Sequence, residues 1–148
     1  MLKQNVLIHA LEKINSKIKE LEIIADEVKS SLLSDSKSSA GDKHETARAM
    51  VQLEQEKLTK QINELLKLQE NLQKINPTIV QSKIGLGSLV ETNNGIYYFS
   101  VGIGPVTIDN QLIFALNPKA PIGELLTGKT KGDKIQFNGK ITEILSVQ

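Results

Sequence analysis

Leu7, Leu11, Ile14, Ile18, Leu21, Ala25, Val28 and Leu32 follow one another at alternating intervals of four and three residues. No other feature restricts the fold of this chain so tightly. The spacing lays a continuous apolar stripe along one side of a helix for nearly four heptads, and such a stripe needs a second helix to cover it. The positions between are mostly Lys, Glu, Asn and Ser, and no Pro or Gly interrupts residues 2–33. A second stripe follows between about Asp42 and Ile75. Val51, Leu58, Leu65 and Leu72 are spaced by seven, Leu68 and Ile75 supply the alternate position, and Ile62 and Leu66 widen it. Pro77 stops this run, because the residue before proline avoids helical angles.

Each run of about 32 residues spans roughly 48 Å as a helix. The segment between them, "SDSKSSAGD", is rich in Ser, Asp and Gly and reads as a turn. Matched arms on a short connection predict an antiparallel coiled-coil hairpin over residues 1–76, with its tip at about 34–45. A plain coiled-coil dimeriser is the competing reading and predicts twice the monomer mass in solution. Short connections make antiparallel neighbours, so pairing within one chain and a monomer are expected.

The pattern changes at Thr78. Short β-branched and aromatic runs alternate with Gly, Asn and Pro: "KIGLGSLVET", "GIYYFSVGIG", "PVTIDN", "QLIFALN", "DKIQF" and "KITEILSV". All five aromatic residues (Tyr97, Tyr98, Phe99, Phe114, Phe137) lie in this half. Asn93-Asn94-Gly95, Asp109-Asn110 and Asn138-Gly139 are hairpin-turn signals. Pro121 is placed to open a short helix and Gly128 to close it. The chain is therefore expected to be α+β, a helical hairpin followed over 77–148 by a small domain of five or six antiparallel strands and one short helix.

Composition excludes several function classes. The 148 residues carry 18 basic and 17 acidic side chains, so no basic excess points to nucleic acid as the main partner. There is no cysteine. Thiolate metal sites, disulfides and cysteine nucleophiles are thereby excluded, which fits a reducing compartment. The opening "MLKQNVLIHALEKINSK" has only a short apolar patch broken by polar residues, neither a signal peptide nor a membrane span. A cytoplasmic protein is expected.

"GELLTGKT", Gly123 to Thr130, matches the phosphate-binding pattern G-x-x-x-x-G-K-[ST]. A phosphate loop needs a buried strand before it and a long helix after it. Here Pro118 and Pro121 precede the stretch and "DKIQF" follows, so nucleotide binding is not expected. The glycines of "GLGSL" and "VGIGP" read as turns and bulges, since no βαβ unit surrounds them. His9 and His44 lack a spacing partner for a metal.

Asp42 and Glu45 remain. Three residues apart at the start of the second helix, they read as a capping box, with Asp42 at the N-cap and Glu45 at N3. Their position also puts them at the far end of an arm of roughly 45 Å. A cap there is the part that reaches deepest into whatever the arm enters.

With these motifs in place the chain resembles the bacterial Gre transcript-cleavage factors over nearly its whole length. Gly41-Asp42-Lys43-His44-Glu45-Thr46-Ala47 resembles the family's tip pattern G-D-x-x-E-N-A. "NPKAPIGELLTGKTKGDKIQFNG" resembles the family's S-P-[IL]-[AG]-x-x-L-x-G-K segment and the strand after it. The resemblance implies a C-terminal domain of the FKBP-like type and a coiled coil that enters the secondary channel of RNA polymerase. It implies that Asp42 and Glu45 share a Mg²⁺ ion with the polymerase, which then hydrolyses the 3′ end of backtracked RNA. The factor itself would hold no cofactor and have no activity alone, because two carboxylates are too few ligands for a tight Mg²⁺ site.

The sequence departs from the family at the tip. Thr46 stands where the family has Asn, and Arg48-Ala49 where it usually has an acidic residue followed by Tyr. Lys43 and Arg48 set positive charge beside the acids. A channel-binding regulator that does not stimulate cleavage is therefore an alternative. A prolyl isomerase or chaperone using the FKBP-like half is another, disfavoured by the lack of Trp and the few aromatics, because such a site needs an aromatic-lined apolar pocket.

Overall fold

The structure, a computed structural model, describes residues 2–35 and 41–148, with side-chain surroundings for 2–31 and 45–148. Helix α1 spans Leu2–Asp35 and α2 spans Gly41–Gln73. The Ser-rich turn read between them, and the side chain of Leu32, fall outside the described residues. Between positions 11 and 30 of α1 the residues withdrawn from solvent are Leu11, Ile14, Ile18, Leu21, Ala25 and Val28, the heptad set and no other. On α2, Val51, Leu58, Ile62, Leu65, Leu68 and Leu72 are likewise withdrawn. Leu66 is 42% exposed, so it does not widen the stripe.

Helix α2 ends two residues before Ile75. The Asn76 side chain accepts hydrogen bonds from the Thr78 N–H and hydroxyl, at 3.0 and 2.6 Å. That local bonding is the alternative to helix which Asn offers the backbone, here in the residue before Pro77.

Six strands follow: β1 (Leu89–Thr92), β2 (Gly95–Phe99), β3 (Gly104–Ile108), β4 (Gln111–Leu116), β5 (Lys134–Phe137) and β6 (Lys140–Val147). Helix α3 (Pro121–Leu126) lies between β4 and β5. The strands are ordered β3-β4-β2-β1-β6-β5. Asp109 and Asn110 both have positive φ, as do Asn138 and Gly139, so the β3–β4 and β5–β6 turns have the left-handed backbone of tight hairpins. The Asn93-Asn94 turn also reaches sideways onto β6. Asn93 Oδ1 accepts from the Glu143 N–H at 2.8 Å, and Asn94 Nδ2 donates to Thr142 Oγ1 at 2.8 Å.

One pairing differs from the all-antiparallel expectation. β2 and β4 run parallel, with Tyr97 beside Phe114. Ser100–Ile103 carries the chain from β2 to β3 across about 10 Å, two strand spacings. Four residues are enough to cover that distance, with a tight turn in which the Ile103 N–H donates to Val101 O. The space left open is then filled by β4, returning from β3 in the direction of β2.

Register divides the sheet into two faces. Val90, Phe99, Leu116, Ile135 and Ile144 pack with Ile84 and with Leu126 of α3 in one buried cluster. Tyr98 and Leu89 are cross-strand partners and point the other way, together with Ile113 and Ala115. Tyr98 and Phe99 are neighbours on opposite faces, and both are fully buried. Both faces of the sheet are thus covered.

The chain divides into two compact units, one of Met1–Glu12 with Glu70–Gln148 and the other of Lys13–Gln69. In the first unit Val6, Ala10 and Leu72 are fully buried. Lys3 is buried there too, and its Nζ donates to the Ile79 carbonyl at 2.7 Å. Burial holds its pKa below the usual lysine value. Between that lowered pKa and 10.5 the unfolded chain binds more protons than the folded one, so stability contributed at this site rises with pH across that window. Lys3→Met is expected to remove this part of the alkaline rise. Urea unfolding of both proteins at a series of pH values up to 10.5 checks it, and parallel curves would refute it.

Tyr98 Oη is enclosed with no hydrogen-bond partner among the described residues, and burial pushes its pKa up to about 12. An enclosed hydroxyl without a partner is a cost of about 1–3 kcal/mol. Tyr98→Phe keeps the ring and removes that cost. It is expected to stabilise the protein by about 1 kcal/mol, read as a higher urea midpoint at unchanged slope; a lower midpoint would mean that the hydroxyl is bonded in solution.

Candidate functional site

Helix α2 is described from Gly41, and Asp42 is its second described residue. The Asp42 side chain is outside the described residues. Glu45 is exposed one turn further on. Residues three apart on a helix are surface neighbours, with Cβ atoms about 5–6 Å apart. Thr46, Arg48 and Ala49 are also exposed. From Glu45 to Gln69, within one compact unit, the helix axis runs roughly 36 Å.

The two helices meet within the Lys13–Gln69 unit. Gln69 Nε2 donates to Asn15 Oδ1 at 2.5 Å. Leu21 and Ile24 of α1 and Leu65 and Leu68 of α2 line one shared groove. His9 is an exposed helix residue with Nδ1 3.3 Å from the Asn5 carbonyl oxygen, and the His44 side chain is outside the described residues. Among the described residues no group of three or more His, Cys, Asp or Glu side chains is arranged to hold a metal ion.

The stretch matching a phosphate loop is built into the fold. Its first residues form α3, with Pro121 at the first helical positions. The N–H groups that a phosphate would need are engaged internally. Glu124 donates to Ala120 O, Thr127 to Gly123 O, Gly128 to Ile84 O and Lys129 to Leu126 O. Thr130 N–H donates to Asp133 Oδ2 at 2.9 Å. β5 follows where a nucleotide fold needs a long helix. Of the glycines in the other two Gly-rich stretches, Gly87 lies in a turn with positive φ and Gly104 opens β3 with positive φ.

Sequence reasoning missed Lys3 and Tyr98. A lysine in the first turn of a helix reads as solvated, and its partner Ile79 is 76 positions away. The alternation of β2 does not say that both of its faces are covered. No helix is long and apolar enough to cross a membrane among the described residues.

A comparison with protein-family models finds no match to this chain, and a comparison with curated proteins finds none either.

Proposed function

We propose that this protein is a Gre-like transcription factor that binds RNA polymerase, inserts its two long helices into the secondary channel as an antiparallel hairpin, and stimulates cleavage of backtracked RNA. One observation carries the reading: two helices of 34 and 33 residues joined by a Gln69–Asn15 hydrogen bond, with an acid pair where the second begins. In this reading Asp42 and Glu45 are the working residues, and the sheet with α3 is the FKBP-like domain that docks on the polymerase surface.

The donor set fits a hard cation. Carboxylate oxygens suit Mg²⁺, and exposed Glu45 is free to present them. Two carboxylates do not fill an octahedral shell, so the remaining ligands come from the polymerase and water. A Mg²⁺ ion held there supplies positive charge to a phosphodiester and lowers the pKa of water. The work of this chain is to hold Asp42 and Glu45 one helical turn apart and carry them along α2. A channel-binding regulator without cleavage is the second reading, favoured by exposed Arg48 and Ala49 beside Glu45. The isomerase reading loses support because Tyr98 and Phe99 are fully buried in packing.

The test is a stalled, backtracked elongation complex of the cognate polymerase with and without this protein. Shortened RNA only in its presence supports the first reading. Binding without shortening supports the second, and absence of binding removes both.

A further inference from the structure

Asparagine is followed by glycine twice in this chain, at Asn94-Gly95 and at Asn138-Gly139. In such a pair the glycine nitrogen can attack the side-chain amide carbon, because no Cβ on the second residue obstructs the approach. Both asparagines are exposed and both lie in hairpin turns. The structure nevertheless treats them differently. Asn94 Nδ2 donates to Ile141 O at 3.2 Å and to Thr142 Oγ1 at 2.8 Å, and the Asn94 N–H donates to Thr92 Oγ1 at 3.1 Å. Gly95, whose nitrogen would attack, stands in the ladder opposite Thr92. At the other turn the ladder closes with Phe137 opposite Lys140, so Gly139 lies outside it. The Asn138 side chain has no hydrogen-bond partner among the described residues. A Cβ at Gly139 would meet no atom within 4 Å, so the turn peptide has room to rotate.

We infer that Asn138 is a site of spontaneous deamidation and that the fold shields Asn94 from the same reaction. The Gly139 nitrogen gives its proton to solvent base and attacks Cγ of Asn138. The new N–C bond forms, the Cγ–Nδ2 bond breaks, and ammonia leaves. Water then opens the cyclic imide at either carbonyl. One opening gives aspartate; the other gives isoaspartate, with the main chain routed through the side-chain carbon. Either product adds one negative charge, which cancels the formal net charge of +1. Isoaspartate also lengthens the main chain between Phe137 and Lys140, the pair that closes the β5–β6 hairpin. β5 is an edge strand that carries Ile135 into the buried cluster and Phe137 against it, so the altered turn loosens that edge of the core. Nothing in this chemistry depends on polymerase binding.

The experiment holds the full-length protein at mildly alkaline pH, folded in buffer and, in parallel, unfolded in guanidinium chloride. Peptide mapping by mass spectrometry follows the exchange of NH₂ for OH at each asparagine. In the unfolded chain the two sites are expected to react at similar rates, since each precedes glycine. In the folded protein Asn138 is expected to react faster than Asn94 on the order of tenfold, the scale of first opening a bonded group. Asn138→Gly keeps a residue suited to the left-handed turn and should abolish the main acidic species that isoelectric focusing detects. Equal rates at the two sites of the folded protein, or a faster Asn94, would overturn the inference. So would a folded protein in which Asn138 stays intact while the unfolded chain reacts.

Discussion

Asp42→Ala and Glu45→Ala are each expected to lower factor-stimulated RNA cleavage on the order of 100-fold, the scale of losing one group organised against developing charge. Binding to the polymerase should remain, because neither residue belongs to an apolar stripe. The loss of fold stability should be small. A carboxylate in the first turn of a helix contributes only about 0.3–1 kcal/mol, and Glu45 is exposed. Cleavage rate, polymerase affinity and helix content measured on the same preparations separate the two roles. If cleavage falls only in proportion to lost helix content, the acids are helix-stabilising and nothing more. If cleavage falls with helix content and affinity intact, they act at the reacting phosphodiester.

Gly123→Ala carries the largest expected effect on stability, and its sign is informative. By helix propensity alone, alanine in place of glycine within α3 should stabilise by roughly 1 kcal/mol. The structure predicts the reverse. A Cβ at Gly123 would lie 2.6 Å from the Asn117 carbonyl oxygen and 2.7 Å from that of Pro118. Both are backbone atoms, so no rotamer change relieves the clash. Either α3 or the Asn117–Pro118 segment must move, and α3 carries Leu126 into the buried cluster. A loss of about 3 kcal/mol is expected, at the upper end for overpacking. Urea unfolding followed by circular dichroism checks it, and a midpoint equal to or above wild type would show that α3 does not pack this closely. The same glycine opens the stretch that matches a phosphate loop. A close approach of helix to backbone, with no phosphate involved, is sufficient reason for glycine there.

Much of this was legible in the residues because it depends on local spacing. The stripe from Leu7 to Val28 needed only the period of a helix, and the withdrawn positions of α1 between 11 and 30 are that set. Asn138-Gly139 and Asp109-Asn110 specify left-handed turns by themselves, and Pro121 and Gly128 bracket α3 as read. Asp42 and Glu45 fall within the span read as the second helix, and the Asp42 side chain lies outside the described residues.

The sequence by itself determined the two long helices, the strand runs, their turns and the exclusion of a nucleotide loop, all consequences of short-range periodicity and turn chemistry. Tertiary structure alone decided what depends on partners far along the chain. The parallel pairing of β2 with β4 follows from how β3 crosses the sheet. The burial of Tyr98 and Phe99 on opposite faces follows from cover on both sides. The Lys3 bond to Ile79 joins residues 76 positions apart. The close approach at Gly123 exists only once α3 has docked. Local pattern fixes which elements form; the distances between groups brought together from distant positions fix what surrounds each side chain, and no spacing within the chain encodes those distances.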